Sequence, residues 1–195
     1  ELVEGRFAAK LPSTSSGLRF CIARIGTSFL LVRPMTPPTL ETPRLRLRPQ
    51  RLSDKADHVA MWADARVTRF IGGQPRDETL SWSKFLAAAG LWPVMGFGYW
   101  VFADKATDQL IGMGGLSYFA RGVPLLEGVP EAGWAFDADH WGQGLATEAM
   151  AAVLAWADVH LAAREIRCII NPGHGASERV ATKLGFAVIG HHVME

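Results

Sequence analysis

A chain of 195 residues with 49% apolar composition can bury a sizeable core and needs no disulfide or metal to hold it together. The formal charge is +1, and residues 1–34 hold five basic side chains against two acids, so the remainder is slightly acidic and lacks the electrostatic footprint of a nucleic-acid binder. No apolar stretch approaches the roughly 20 residues of a membrane span, and two distant cysteines, Cys21 and Cys168, make no metal or redox spacing and suit a reducing cytoplasm.

Residues 1–34 read as an appendage, either an upstream extension of a frame starting at Met35 or a transit-like leader rich in Ser and Arg. Residues 35–195 read as one domain. Residues 44–48 alternate Arg and Leu, the period of a strand with one face buried. Ser53 is positioned to cap a helix over 54–63. A second helix is predicted over 78–89, ended by Gly90 and Pro93. Strands over 99–103 and 109–116 flank the polar run 104–108 and predict a hairpin. Trp82, Trp92, Phe97, Tyr99 and Trp100 read mostly as core, with one or two free to wall a pocket. A short apolar strand follows over 132–136, then a helix over 145–161, apolar on most faces. The isoleucine-rich run 166–170 reads as a strand ending in a Pro-Gly turn. A short helix stopped by Gly185 and a last strand over 186–195 complete the chain.

Between the strand 132–136 and the long helix lies Trp141-Gly-Gln-Gly-Leu-Ala-Thr-Glu-Ala149. Glycines at 142 and 144 let backbone approach a ligand, and the first helical turn leaves N–H groups unpaired at the positive end of the dipole. Such a place binds anions, and three or four N–H bonds of about 1.5–3 kcal/mol each could hold a pyrophosphate without a lysine. Alone, the pattern is equally a tight turn that binds nothing. A P-loop is excluded because Leu145-Ala146 stands where Lys-Ser/Thr is required.

The segment Asn171-Pro-Gly-His-Gly-Ala-Ser-Glu-Arg-Val-Ala-Thr-Lys-Leu-Gly-Phe186 shifts that balance. With the glycine loop upstream, with Leu40-Glu-Thr-Pro-Arg-Leu-Arg-Leu-Arg48, and with Glu131-Ala-Gly-Trp134, it resembles the GNAT superfamily of acyl-CoA N-acetyltransferases. More narrowly it is similar to the branch of the ribosomal-protein alanine acetyltransferases. The resemblance runs from about Leu40 to Phe186. It implies an α/β (α+β) fold, a mixed and mostly antiparallel twisted sheet flanked by helices, with a splayed strand pair at the cofactor site. It also implies acetyl-CoA as co-substrate and no metal. The backbone of Trp134, Ala135 and Phe136 would pair with pantetheine as another strand would. The N–H groups across Gly142, Gln143, Gly144, Leu145 and Ala146 would hold the pyrophosphate, with Asn171 and His174 contacting pantetheine. Trp141 is expected to pack under the loop, and Glu148 to steady the first helical turn or order the loop. Family members continue past the strand 186–195, so the expectation is either a domain lacking its last strand or a sheet edge completed by another subunit.

The implied chemistry is aminolysis of a thioester. An α-amine (pKa about 8) is partly neutral at physiological pH, and lysine (about 10.4) almost wholly protonated, so a base assists either. Glu131 matches the glutamate of the family's Glu-x-Gly-aromatic pattern and is the candidate base; it reads equally as a surface glutamate at a strand end. The departing thiolate benefits from a donor. Ala181 stands where many relatives have a tyrosine, leaving Ser177, which could instead cap a helix. His174 replaces the usual asparagine. The expected partner is an amine acceptor, small molecule or protein N-terminus, bound by the first two helices and the loop 118–129, in a monomer or homodimer. No nucleic acid or membrane partner is expected. The alternative is a regulatory module that binds acyl-CoA without turnover.

Overall fold

The computed structural model describes residues 36–191; the expected appendage 1–34 and the end of the chain lie outside them. Five strands, β1 (Leu40–Glu41), β2 (Leu45–Arg48), β3 (Tyr99–Asp104), β4 (Leu110–Ser117) and β5 (Glu131–Phe136), form one antiparallel sheet in the order β1-β2-β3-β4-β5. Each strand pairs with its neighbour in sequence. The β3–β4 hairpin closes as expected: Asp104 Oδ1 accepts the N–H groups of Ala106 and Thr107, and Asp108 takes the left-handed conformation at φ 59°.

Helices cover both faces. On one face α5 (Leu145–His160) lays Leu145, Ala149, Met150, Val153 and Ala157 against Leu45, Leu47, Trp100, Phe102 and Phe136. On the other, α1 (Lys55–Ala63), α2 (Ala65–Thr68) and α3 (Glu78–Ala89) place Met61, Trp62, Val67 and Phe85 on Val101, Ala103, Met113 and Ala135. Each strand sends alternate residues to opposite faces, so both cores are drawn from the same strands. Trp92, Phe97 and Trp100 are buried in the first of them. The helix α3 begins as its sequence dictates, with Asp77 accepting from Leu80 N–H at 2.7 Å. Two further helices are short: α4 (Leu91–Met95), and α6 (Gly175–Lys183), which ends at Gly185 in a Schellman turn with Phe186 N–H on Ala181 O.

Several expectations are corrected. The arginine face of β2 is not all outward: Arg48 is 2% exposed and grips Asp54 with two bonds of 2.7 and 2.9 Å. A buried guanidinium needs such a partner. Consequently Asp54, not Ser53, organises the start of the first helical segment, where a 3₁₀ turn over Leu52–Asp54 precedes α1 and Arg51 N–H donates to Asp54. Pro93 does not stop the chain but sits within the first turn of α4, where its missing N–H costs nothing. The run 166–170 is not a strand. Only Arg167 pairs, through Ala132 N–H to Arg167 O (2.7 Å) and Arg167 N–H to Pro130 O (3.0 Å), in one parallel bridge with Glu131. Beyond it the segment parts from β5, and a strand without a neighbour makes no ladder. Residues 186–191 form no strand either. Among the described residues no helix is long and apolar enough to cross a membrane, and no cluster of three metal-binding side chains occurs.

Candidate active site

The parting of β5 from residues 168–171 exposes backbone. Ala132 turns its N–H outward to Arg167, so by alternation Trp134 and Phe136 also face away from β4. The indole of Trp141 donates to Phe136 O at 2.8 Å. That leaves Trp134 N–H, Trp134 C=O and Phe136 N–H without partners among the described residues. An unpaired sheet edge of this kind is a template for an extended amide ligand.

At the end of that edge the chain turns through Gly142 (φ 75°) and Gly144 (φ 77°) into α5. No side chain caps the helix. Its first return bond runs from Glu148 N–H to Gly144 O, so the N–H groups of Leu145, Ala146 and Thr147 have no partner within the helix. A Cβ built on Gly142 would meet nothing within 4 Å, which means open space in front of these donors. The loop is braced from behind. Glu148 accepts from the Thr42 hydroxyl (2.7 Å), Arg44 N–H (2.8 Å) and the Arg44 guanidinium (2.7 Å), while Arg44 also donates to Gln143 O (2.8 Å). Burial disfavours ionisation of Glu148, but these donors outweigh it and hold the carboxyl below its usual range. Glu148 therefore orders the loop, and Thr42 and Arg44 are the missed partners that let it do so.

The edge and the loop line one cavity of about 230 Å³ with α6 opposite. Trp134, Ala135, Phe136, Gly142, Gly144, Leu145 and Ala146 are in its wall, and so are His174 and Ser177. Gln143 and Asn171 are not. Gln143 contributes its carbonyl to Arg44, and the Asn171 amide donates to Phe70 O at 2.6 Å, tying the turn before α6 to the segment after α2. Trp141 is 46% exposed and walls the cavity instead of packing beneath the loop, because its N–H is held at the sheet edge. His174 stacks on Phe70 at 4.5 Å with its Nε2 3.4 Å from Ser177 Oγ, and burial lowers its pKa, so the imidazole is neutral at pH 7. Sequence reasoning also missed Arg179 and Lys183, which bring positive charge to the wall. Their spacing with Ala176 and Val180 is one face of a helix, a signal that was available.

Glu131 stands five residues up β5 from Phe136, outside the cavity wall, on the face shared with Gly133 and Ala135. It is 6% exposed. Arg121 Nε donates to its Oε2 at 2.9 Å, and Oε1 has no partner among the described residues. Beside it Tyr99 reaches across the sheet until its hydroxyl covers Gly133. Burial, then the charge of Glu131, push the Tyr99 phenol well above its ordinary value; the same two causes raise the Cys168 thiol to about 11. Both stay protonated at neutral pH. A Cβ on Gly133 would fall 2.2 Å from the Tyr99 hydroxyl but 3.3 Å from the ring carbon beneath it. Gly133→Ala is therefore expected to destabilise the fold by about 1–3 kcal/mol. In a Tyr99→Phe background the same change should cost far less, as a double-mutant cycle of urea midpoints would reveal.

A sheet edge and an uncapped helix end line one cavity, an arrangement suited to an extended amide ligand that carries an anionic group. Residues 44–187 match the acetyltransferase (GNAT) domain, and the chain belongs to the GNAT acetyltransferase family. YkkB of Bacillus subtilis (strain 168) is 30% identical over 151 residues, covering 75% of this chain and 83% of YkkB. A GnaT-family acetyltransferase from Bordetella pertussis has 31% identity and a TM-score of 0.68, with 77% of this chain and 89% of that chain covered. The ribosomal-protein-S5-alanine acetyltransferase from Vibrio fischeri shares the fold at 20% identity and a TM-score of 0.62, covering 79% and 85% respectively.

Proposed function

We propose that this protein transfers an acetyl group from acetyl-CoA to a primary amine, by direct attack of the amine on the thioester. The observation that carries the reading is the junction of two unsatisfied backbone surfaces in one cavity. The free edge at Trp134 and Phe136 suits the two amides of pantetheine, and the N–H groups of Leu145, Ala146 and Thr147 suit a pyrophosphate. Arg179 and Lys183 supply the positive charge that a phosphate-bearing ligand needs. The thioester supplies an activated acyl carbon: a C–N bond forms there as the C–S bond breaks.

The protein's own part is to manage protons. Oε1 of Glu131 is open to accept one from the acceptor amine, while Arg121 holds Oε2 and fixes the carboxylate. Ser177, beside the neutral His174, is a hydroxyl donor for the departing sulfur. Both acceptor classes, small amine and protein N-terminus, are compatible with this chemistry. The test is calorimetric titration with acetyl-CoA, run beside a panel of amines followed by release of free CoA. Saturable binding and amine-dependent release are expected. Tight binding with no release from any amine would make the chain an acyl-CoA-binding module instead.

A further inference from the structure

We propose that Arg121 forms a subsite for an anionic oxygen group, carboxylate or phosphate, that the acceptor carries close to its amine. This rests on the acetyl-transfer reading and narrows its acceptor. The guanidinium is half-committed: Nε is bonded to Glu131, and Nη1 and Nη2 have no partner among the described residues. Its plane is fixed from a second direction by the Phe119 ring, 4.6 Å from the guanidinium carbon. With one edge pinned and one face stacked, Nη1 and Nη2 remain as a free fork of donors, and the side chain keeps 39% of its surface exposed. A fork of this geometry matches the two oxygens of a carboxylate or phosphate, and its rotamers are already restricted before a ligand arrives.

Its place on the sheet decides what that ligand is. Ala135 lies in the cavity wall, Gly133 under the Tyr99 hydroxyl, and Glu131 with Arg121 follows on the same face of β5. The open Oε1 of Glu131 and the free edge of Arg121 are thus neighbours, one suited to an ammonium and the other to an oxyanion. An acceptor with amine and acid a few bonds apart satisfies both.

The experiment compares matched amines on the acetyl-CoA-saturated protein: amino acids against their carboxamides, and O-phosphoethanolamine against ethanolamine. Each pair is measured for kcat/KM and, separately, for its shift of Tm with CoA present. The parent is expected to favour the acid member by about tenfold or more. In Arg121→Gln that ratio should collapse toward one, chiefly through KM, and Arg121→Lys should restore part of it. Because the ratio is read, any disturbance of Glu131 affects both members and cancels. Preference for carboxylates alone or phosphates alone identifies the anion. Equal use of acids and amides, preference for spermidine, or a ratio unmoved in Arg121→Gln would overturn the subsite and leave Arg121 as a clamp on Glu131. If no amine is turned over, acetyl transfer fails by itself. The Tm arm still decides the subsite: acids should stabilise the parent but not Arg121→Gln, and a missing difference overturns it.

Discussion

Gly142→Val is expected to weaken acetyl-CoA binding at least about 100-fold while leaving the fold intact. The backbone there has φ 75°, a conformation in which a β-branched residue is a steric outlier. Valine would either force the turn to another shape or hold its methyl groups in the open space before the helix end. That space contains no protein atom within 4 Å of the new Cβ, so the damage falls on the ligand and not on packing. Excluding a phosphate from two N–H groups removes charge-assisted bonds of about 1.5–3 kcal/mol each, and a 100-fold loss corresponds to about 2.7 kcal/mol. Gly142→Ala should show a smaller loss in the same direction. Calorimetry gives the affinity and a thermal melt checks the fold. Unchanged affinity in the valine variant would remove the loop from the cofactor site.

The glycine loop was legible because its signals are local: two glycines, a helix-forming run and a preceding strand. The same holds for the helix over 78–89, the 104–108 hairpin and the Gly185 stop. What the sequence hid depends on distance along the chain. Glu148 is explained only by Thr42 and Arg44, about a hundred residues earlier, and Arg48 looks solvent-facing by period until Asp54 is seen beneath it. Gly133 resembles a weak point in a strand, yet it is the space that the Tyr99 hydroxyl needs. The run 166–170 has the composition of a strand and fails to be one because, after Arg167, β5 is no longer beside it. Composition reports what a segment would do with a partner; the topology decides whether it has one. In the candidate site, the loop and the edge residues were thus readable, Arg121 and Tyr99 only as members of an acceptor region, and the braces behind the loop not at all.

Replacing Glu131 by glutamine is expected to slow acetyl transfer about 10²–10⁴-fold, the usual cost of losing a positioned base, with acetyl-CoA affinity unchanged. The substitution suits the site. The amide oxygen of glutamine can still accept from Arg121 Nε, so the clamp at 2.9 Å survives and that donor keeps its partner. What is lost is the oxygen that can take a proton. An α-amine with a pKa of about 8 is mostly protonated below that value, and its neutral fraction falls about tenfold per pH unit. The parent can deprotonate a bound ammonium, but Glu131→Gln must wait for neutral amine from solution. The ratio of parent to variant should therefore widen as pH falls from 8 to 6, measured as kcat/KM with an acceptor from the amine panel. Ser177→Ala should cost less, because water can replace a hydroxyl donor to sulfur, and its deficit should not widen at low pH. A Glu131→Gln enzyme that matches the parent at every pH would return Glu131 to a structural ion pair, and transfer would then depend on amine that is already neutral in solution.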